Sequence, residues 1–211
     1  MNRQRTRGAV LIIPLVVSVL ACALSVSPAR TLIEQSMFWH MVVQMPMLVL
    51  GGWLLSSVST EGRYLKGIEV WNHFGLTGFV ASQIIFAYWM LPLSVDRAVV
   101  LPSVDFLKLL TLIACGALTR HSVHRSPVVV QLFFVGSGLS MLLTAGVVLA
   151  TTDRRLCNAY SLDSQVNAGL GVIALGFALG CGWVFRVLRQ SRKVALSAIL
   201  SPTASPLPTQ R

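Results

Sequence analysis

The sequence predicts an all-α fold, a polytopic transmembrane helical bundle of about six helices, and three observations carry that expectation. Of the 211 residues, 55% are hydrophobic and only 11% are charged, with a mean hydropathy of +0.73. A water-soluble domain of this length does not reach that balance. Six apolar runs approach the roughly 20 residues that a helix needs to cross the hydrocarbon core. The cations flank those runs instead of lining one soluble face, so the net charge of +10 reads as a topology signal. The lipid bilayer is the expected solvent, and no nucleic acid is expected as a partner.

Taken in order, the apolar runs are residues 8–26, 37–58, 68–91, 104–119, 128–150 and 166–188. The first follows Arg3, Arg5 and Arg7 and leads to Ser25 and Ala29, a pattern shared by retained helices and cleaved signal peptides. Val19, Leu20, Ala21 and Cys22 resemble a lipoprotein-processing site, but the run is longer than a usual signal core, which favours a retained helix. Cleavage would leave the other spans oriented as before. The fourth run is the shortest and opens with Asp105 and Lys108, so a shallow or strongly tilted helix is expected there. After Lys193 the chain turns rich in Pro and Ser, and residues 194–211 are expected to form a disordered cytoplasmic tail behind a single bundle of residues 1–193. Gly176 with Gly180, Gly78 with Ser82 and Gly136 with Ser140 make small-residue steps that allow close helix packing.

Orientation follows from the loops. With the N-terminus in the cytoplasm, twelve of the 17 Lys and Arg residues fall inside, Arg30, Arg97, Arg154 and Arg155 fall outside, and Lys108 lies within a span. That bias places both termini in the cytoplasm of a cell with this chain in its inner (plasma) membrane. Trp39 and Trp89 near the outer ends, and Trp71 and Trp183 near the inner ends, are expected to form interfacial belts.

The second run is too polar for a plain anchor. It carries His40, Gln44 and Pro46 with Met37, Met41, Met45 and Met47, and polar groups at membrane depth must be satisfied by protein or water. His40 and Gln44 are four apart and share a helix face, and Met37, Met41 and Met45 repeat on the adjoining one. Pro46 cannot donate to the Val42 carbonyl and is expected to kink the helix. Imidazole and thioether donors suit Cu(I), so His40, Met41 and Met45 are candidate copper ligands, with Cys157 and Asp163 as loop contributors. Methionine also fills gaps in ordinary cores, and the structural reading stands beside the metal one. Gln83, Asp105 and Lys108 complete the intramembrane polar set on the outer side. Asp105 and Lys108 either line an ion path or occupy a favourable first turn, with Lys108 snorkelling to the headgroups.

Other chemistries fit poorly. His40 and His73 lie at opposite depths, which excludes a haem held between them, and His121 and His124 fall beside Arg120 and Arg125 in a predicted cytoplasmic loop. Cys22, Cys115, Cys157 and Cys181 show no CxxC spacing, and the chain has no Walker A loop, HExxH or GxSxG. No enzyme activity is expected.

The run from His40 through Gln44, Met45, Pro46 and Met47 to Gly51 resembles the His-Met-Pro helix of CtaG-like cytochrome c oxidase assembly factors. Tyr88 to Val99 is similar to an aromatic-Leu-Pro loop ending in Asp in the same family. The resemblance implies an integral membrane accessory protein that helps copper reach, or helps assemble, a respiratory oxidase. Oxidase subunits or a copper chaperone would be its partners, and His40 is the position carried over. A non-catalytic structural subunit of a membrane complex and a small permease are the alternatives.

Overall fold

The computed structural model describes residues 33, 35–58 and 71–200. The first apolar run, with its signal-peptide alternative, and residues 201–211 lie outside the described residues. A π-helix at Trp39–Gln44 runs directly into α1, Met45–Val58. There follow α2 (Leu76–Met90), α3 (Pro92–Val100), α4 (Pro102–Arg125), α5 (Val128–Thr151) and α6 (Leu162–Leu200). Among the described residues there is no strand. Four helical segments are long and apolar enough to cross a membrane, and α2 with α3 makes a fifth if that bent pair is one broken span.

Proline explains two departures from straight helices. Pro46 has no N–H, and its ring crowds the carbonyl four residues back. The preceding turn widens to accommodate it: the Met45 N–H donates to the His40 carbonyl, five residues back. The kink expected at Pro46 is thus taken up as a π-helical turn. At Pro92 the chain instead bends by 74° between α2 and α3. The nine residues of α3 were not anticipated as a helix, because residues 92–100 carry Asp96 and Arg97 and read as loop. The 15 residues of α2 rise only about 22 Å, short of the roughly 30 Å hydrocarbon core.

Three boundaries also differ from expectation. The third span begins at Leu76 and not at Ile68, because Gly75 adopts φ +76° and Asn72 folds back to accept the Gly78 N–H at 3.0 Å. A Cβ at Gly75 would lie 2.7 Å from the Ser122 carbonyl oxygen, so glycine is required there twice over. The fourth span is a full 24-residue helix and not a short, shallow one. Its charged ends suit the helix dipole, with Asp105 in the first turn and His124 and Arg125 in the last. His121 and His124 therefore lie on α4 and not in a loop. Finally, α6 continues to Leu200, into the segment expected to be tail: residues 194–200 are good helix formers, and the first proline comes only at Pro202.

Backbone approach at glycine fixes how the helices pair. A Cβ on Gly116 would sit 1.9 Å from the Val49 carbonyl oxygen, and one on Gly52 1.9 Å from that of Ile113. Gly146 and Gly169 bring α5 and α6 together in the same way. Of the steps singled out in the sequence, Gly78 is tightly packed against Ser122 and Asn72, Gly176 and Gly180 meet only leucine side chains, and Gly136 meets nothing. The pairs α1 with α4, α4 with α2, α2 with α5, α5 with α6, and α6 with the π-helix complete a cycle of contacts. Outward positions are apolar: Ile84, Phe106, Val129, Phe133 and Phe177 are all more than 60% exposed, as lipid-facing residues should be.

This packing generates a prediction. Gly116→Ala should destabilise the bundle by about 3 kcal/mol in unfolding experiments in detergent, since a backbone carbonyl cannot yield as a side chain can. Gly136→Ala should be neutral or stabilising by up to about 1 kcal/mol. Equal effects at the two positions would overturn the assigned α1–α4 contact.

Candidate functional site

Six of the ten buried polar side chains, His40, Gln44, Ser94, Asp105, Lys108 and Gln165, gather at one end of the bundle. Ser36 and Met37 approach Ser164 at the start of α6, with the Met37 N–H donating to Ser164 Oγ at 2.8 Å. The His40 ring lies 6.3 Å from that of Tyr160 in the loop before α6. At the same end Trp89 Nε1, near the end of α2, donates to Thr111 Oγ1 on α4 at 2.9 Å. Trp89 is therefore a buried anchor between helices and not the interfacial residue its position predicted, whereas Trp39 and Trp71 are well exposed.

Two polar side chains tie off the backbone of this end. Asp96 on α3 accepts the Asn158 and Ala159 N–H groups at 2.9 and 3.3 Å. Gln165 accepts the Leu156 N–H through Oε1 and donates through Nε2 to the Leu149 and Arg154 carbonyls. Gln165 is buried, as is Tyr160. The sequence alone assigns this part to neither Gln165 nor Asp96. The available signal was a lone amide at the start of an apolar helix, next to a loop whose N–H groups need acceptors.

His40, Gln44, Met37, Met41 and Met45 are all buried within the bundle, His40 completely (0% exposed). In a regular α-helix His40 would align with Gln44; the π-helical hydrogen bond also brings Met45 onto its face. Gly52 lies against Ile113, and Gly116 lies between Val49 and Trp53. Counting back along this register, Lys108 on α4 falls level with Gln44 and Met45.

Lys108 corrects an expectation. It does not snorkel: it is 0% exposed, with Nζ 2.6 Å from Asp105 Oδ1. The reason is the packing of α1, α2 and α3 on α4, which covers the face bearing Asp105, Lys108, Leu112 and Cys115. An ammonium enclosed in this way needs a neighbouring anion, and the carboxylate one turn earlier supplies it. Gln83 does not join this cluster. Its Nε2 donates to the Phe134 carbonyl at 2.7 Å, stapling α2 to α5, and it lies about 13 Å along the helix axis from the α2–α3 bend that is level with Lys108.

The two expected loop contributors are placed differently. Asp163 is exposed to solvent. The Cys157 thiol is buried beneath α3 and directed at the Pro92 carbonyl, 3.9 Å away. Burial, reinforced by the charge of Asp96, pushes its pKa up to about 12, so it is a thiol and not a thiolate at neutral pH. Among the described residues no three His, Cys, Asp or Glu side chains converge to hold a metal ion. What this end offers is an enclosed imidazole, thioethers, and an internal ion pair.

Two predictions follow from this geometry. Lys108→Met alone and Asp105→Asn alone should each destabilise the protein by about 3–5 kcal/mol, because each strands one buried partner, while the double change Asp105→Leu/Lys108→Met should recover most of the loss. A double-mutant cycle in detergent reads this directly, and additive losses would show the two groups to be independent. The raised thiol pKa gives a pH dependence. Folding keeps Cys157 protonated while the unfolded chain ionises near 9.0, so this contribution to stability falls as pH rises from about 9 and levels off near 12. Cys157→Ser should flatten that part of the profile.

Comparison of the chain with protein-family models, with curated proteins and with solved structures finds no match, so the reading of this site rests on its own residues.

Proposed function

We propose that this chain is an integral membrane accessory protein that carries Cu(I) as cargo at His40, with Met41 and Met45 as thioether donors, toward a respiratory oxidase. One observation carries this reading: His40 is wholly enclosed by protein, in a helix whose π-helical turn sets Met45 on the same face and whose Met37 and Met41 are buried beside it. Imidazole with thioethers favours Cu(I) over harder ions, and the lack of a carboxylate or thiolate cluster among the described residues argues against zinc, calcium or manganese. The oxidase as recipient, with its subunits or a copper chaperone as partners, follows from the resemblance to CtaG-like factors. Positive-inside topology puts the His40 end on the outer face of the inner membrane and both termini in the cytoplasm.

A second reading, a small permease, is favoured by the Asp105–Lys108 pair, since an ion pair enclosed at membrane depth is a functional feature by default. The two readings separate in one set of measurements. Titration of the purified protein with Cu(I) against a competing chelator should show one ion bound, lost in His40→Ala and weakened about tenfold in Met45→Leu, the effect of losing one soft donor worth about 1.4 kcal/mol. Absence of stoichiometric binding in the wild type overturns the copper reading. Solute flux in proteoliposomes that Lys108→Met abolishes would establish the permease instead.

A further inference from the structure

The opposite end of the bundle carries an arrangement that the copper reading does not use. Arg120 and His124 on α4 and Arg186 on α6 are near enough for their charges to act on one another, and His121 adds to the field at His124. No described carboxylate pairs with Arg120, Arg186 or Arg189. Arg120 is held over the Trp53 ring at 5.9 Å, and Arg189 over the Phe185 ring at 4.1 Å. Like charges with no counter-ion among the described residues repel one another, and an external anion that joins them relieves that repulsion. The indole N–H of Trp183, three residues before Arg186 on the same helix, is covered and has no acceptor among the described residues.

The cations border an apolar groove. A cavity of about 430 Å³ is lined by Gly182, Phe185, Arg186, Arg189 and Gln190. Phe185 also lines a second cavity, of about 520 Å³, which runs between α5 and α6 over Leu139, Leu143, Gly176, Gly180 and Cys181. Gly176 and Gly180 leave the room: a Cβ at either would meet only leucine side chains at 3.2 Å. From Gly176 to Leu188 the groove follows the helix for about 18 Å, close to one leaflet's half of the roughly 30 Å hydrocarbon core. A soluble anion has no use for this groove, and a zwitterionic lipid gains less than an anionic one from arginines that no described carboxylate pairs.

We propose that this end is a binding site for one anionic phospholipid, its phosphate held at Arg186 and Arg189 with Arg120 nearby, and one acyl chain lying in the groove between α5 and α6. Basic pockets between transmembrane helices recognise anionic headgroups in this way, each cation near the surface adding to the attraction.

The test uses the whole protein in a neutral detergent, titrated with phosphatidylglycerol or phosphatidylcholine, with bound lipid counted by native mass spectrometry. Phosphatidylglycerol should be retained at least about tenfold better, as two arginine contacts would give. The exposed double variant Arg186→Gln/Arg189→Gln should lose that preference, and Cys181→Phe, which fills the groove from its lipid-facing side, should lower retention of both lipids. Inorganic phosphate in large excess should leave the bound lipid in place. Equal retention of the two lipids by the wild type, a preference that survives in the arginine variant, or no effect of Cys181→Phe would each overturn the proposal. Displacement by phosphate alone would show an anion site without a lipid.

Discussion

The contact between Gly52 and Ile113 on one side and Gly116 and Val49 on the other is the constraint from which the His40 end follows. Two backbones that close leave no room for a side chain and little freedom of register. Once α1 and α4 are locked there, the start of α4 is carried to the level of the π-helix, and Lys108 falls level with Gln44 and Met45. Without a hydrophobic driving force between helices in lipid, such close approach is what association can use, through dispersion contacts at small residues. The glycines thus determine which polar groups share a depth, and through it what chemistry the end of the bundle can support.

That arrangement leaves the polar groups at this depth dependent on the protein itself. Asp96 and Gln165 serve as acceptors and donors for the connection between α5 and α6, where no helix can satisfy the backbone. Asn72 does the same at the other end: it accepts from Gly78 and donates to Ser122 Oγ at 3.1 Å, joining the start of α2 to the last turns of α4. Ser82 and Thr119 continue the α2–α4 seam between these points, Ser82 Oγ donating to the Gly78 carbonyl and Thr119 Oγ1 to Ser82 Oγ. Each of these is a short side chain bonded within one helix or across one contact, the arrangement a low-dielectric surrounding demands.

Composition alone made the membrane class and the all-helical fold legible, and the fifth span was read almost to the residue because no charged residue interrupts it. The errors share a cause. The fourth span looked short because Asp105 and Lys108 at one end, and Arg120 to Arg125 at the other, lower the local hydropathy, yet pairing and the helix dipole keep both ends helical. The third looked long because residues 68–75 contain apolar residues, and only the left-handed Gly75 and the folded-back Asn72 end the helix. Spacing puts the polar residues of the His40 end in one set, but burial separates them in ways that spacing cannot show. Lys108 is enclosed, Asp163 is not, and Gln83 is spent on the Phe134 carbonyl. Tight contacts with a partner helix's backbone likewise fell at Gly52, Gly116, Gly146 and Gly169 and not at the GxxxG step, since a sequence period says which residues share a face but not what that face meets.

The buried ion pair and the proposed copper ligand constrain one another. A monovalent metal ion at His40 would share its depth with the Lys108 ammonium, and in a low-dielectric interior two such cations repel strongly. Asp105 removes most of that repulsion by making the α4 contribution a dipole and not a net charge, with Nζ and Oδ1 only 2.6 Å apart. The same neutralisation lets α4 begin with charged residues inside the bundle without inviting lipid headgroups or bulk water in to solvate them. Charge is treated oppositely at the two ends: neutralised internally beside His40, and left without a described carboxylate partner at Arg120, Arg186 and Arg189, where the headgroup layer can supply the anion. The two proposed occupants, a soft cation at the first end and a phosphate-bearing lipid at the second, differ accordingly, because the sign and completeness of the local charge balance decide which ligand gains by entering.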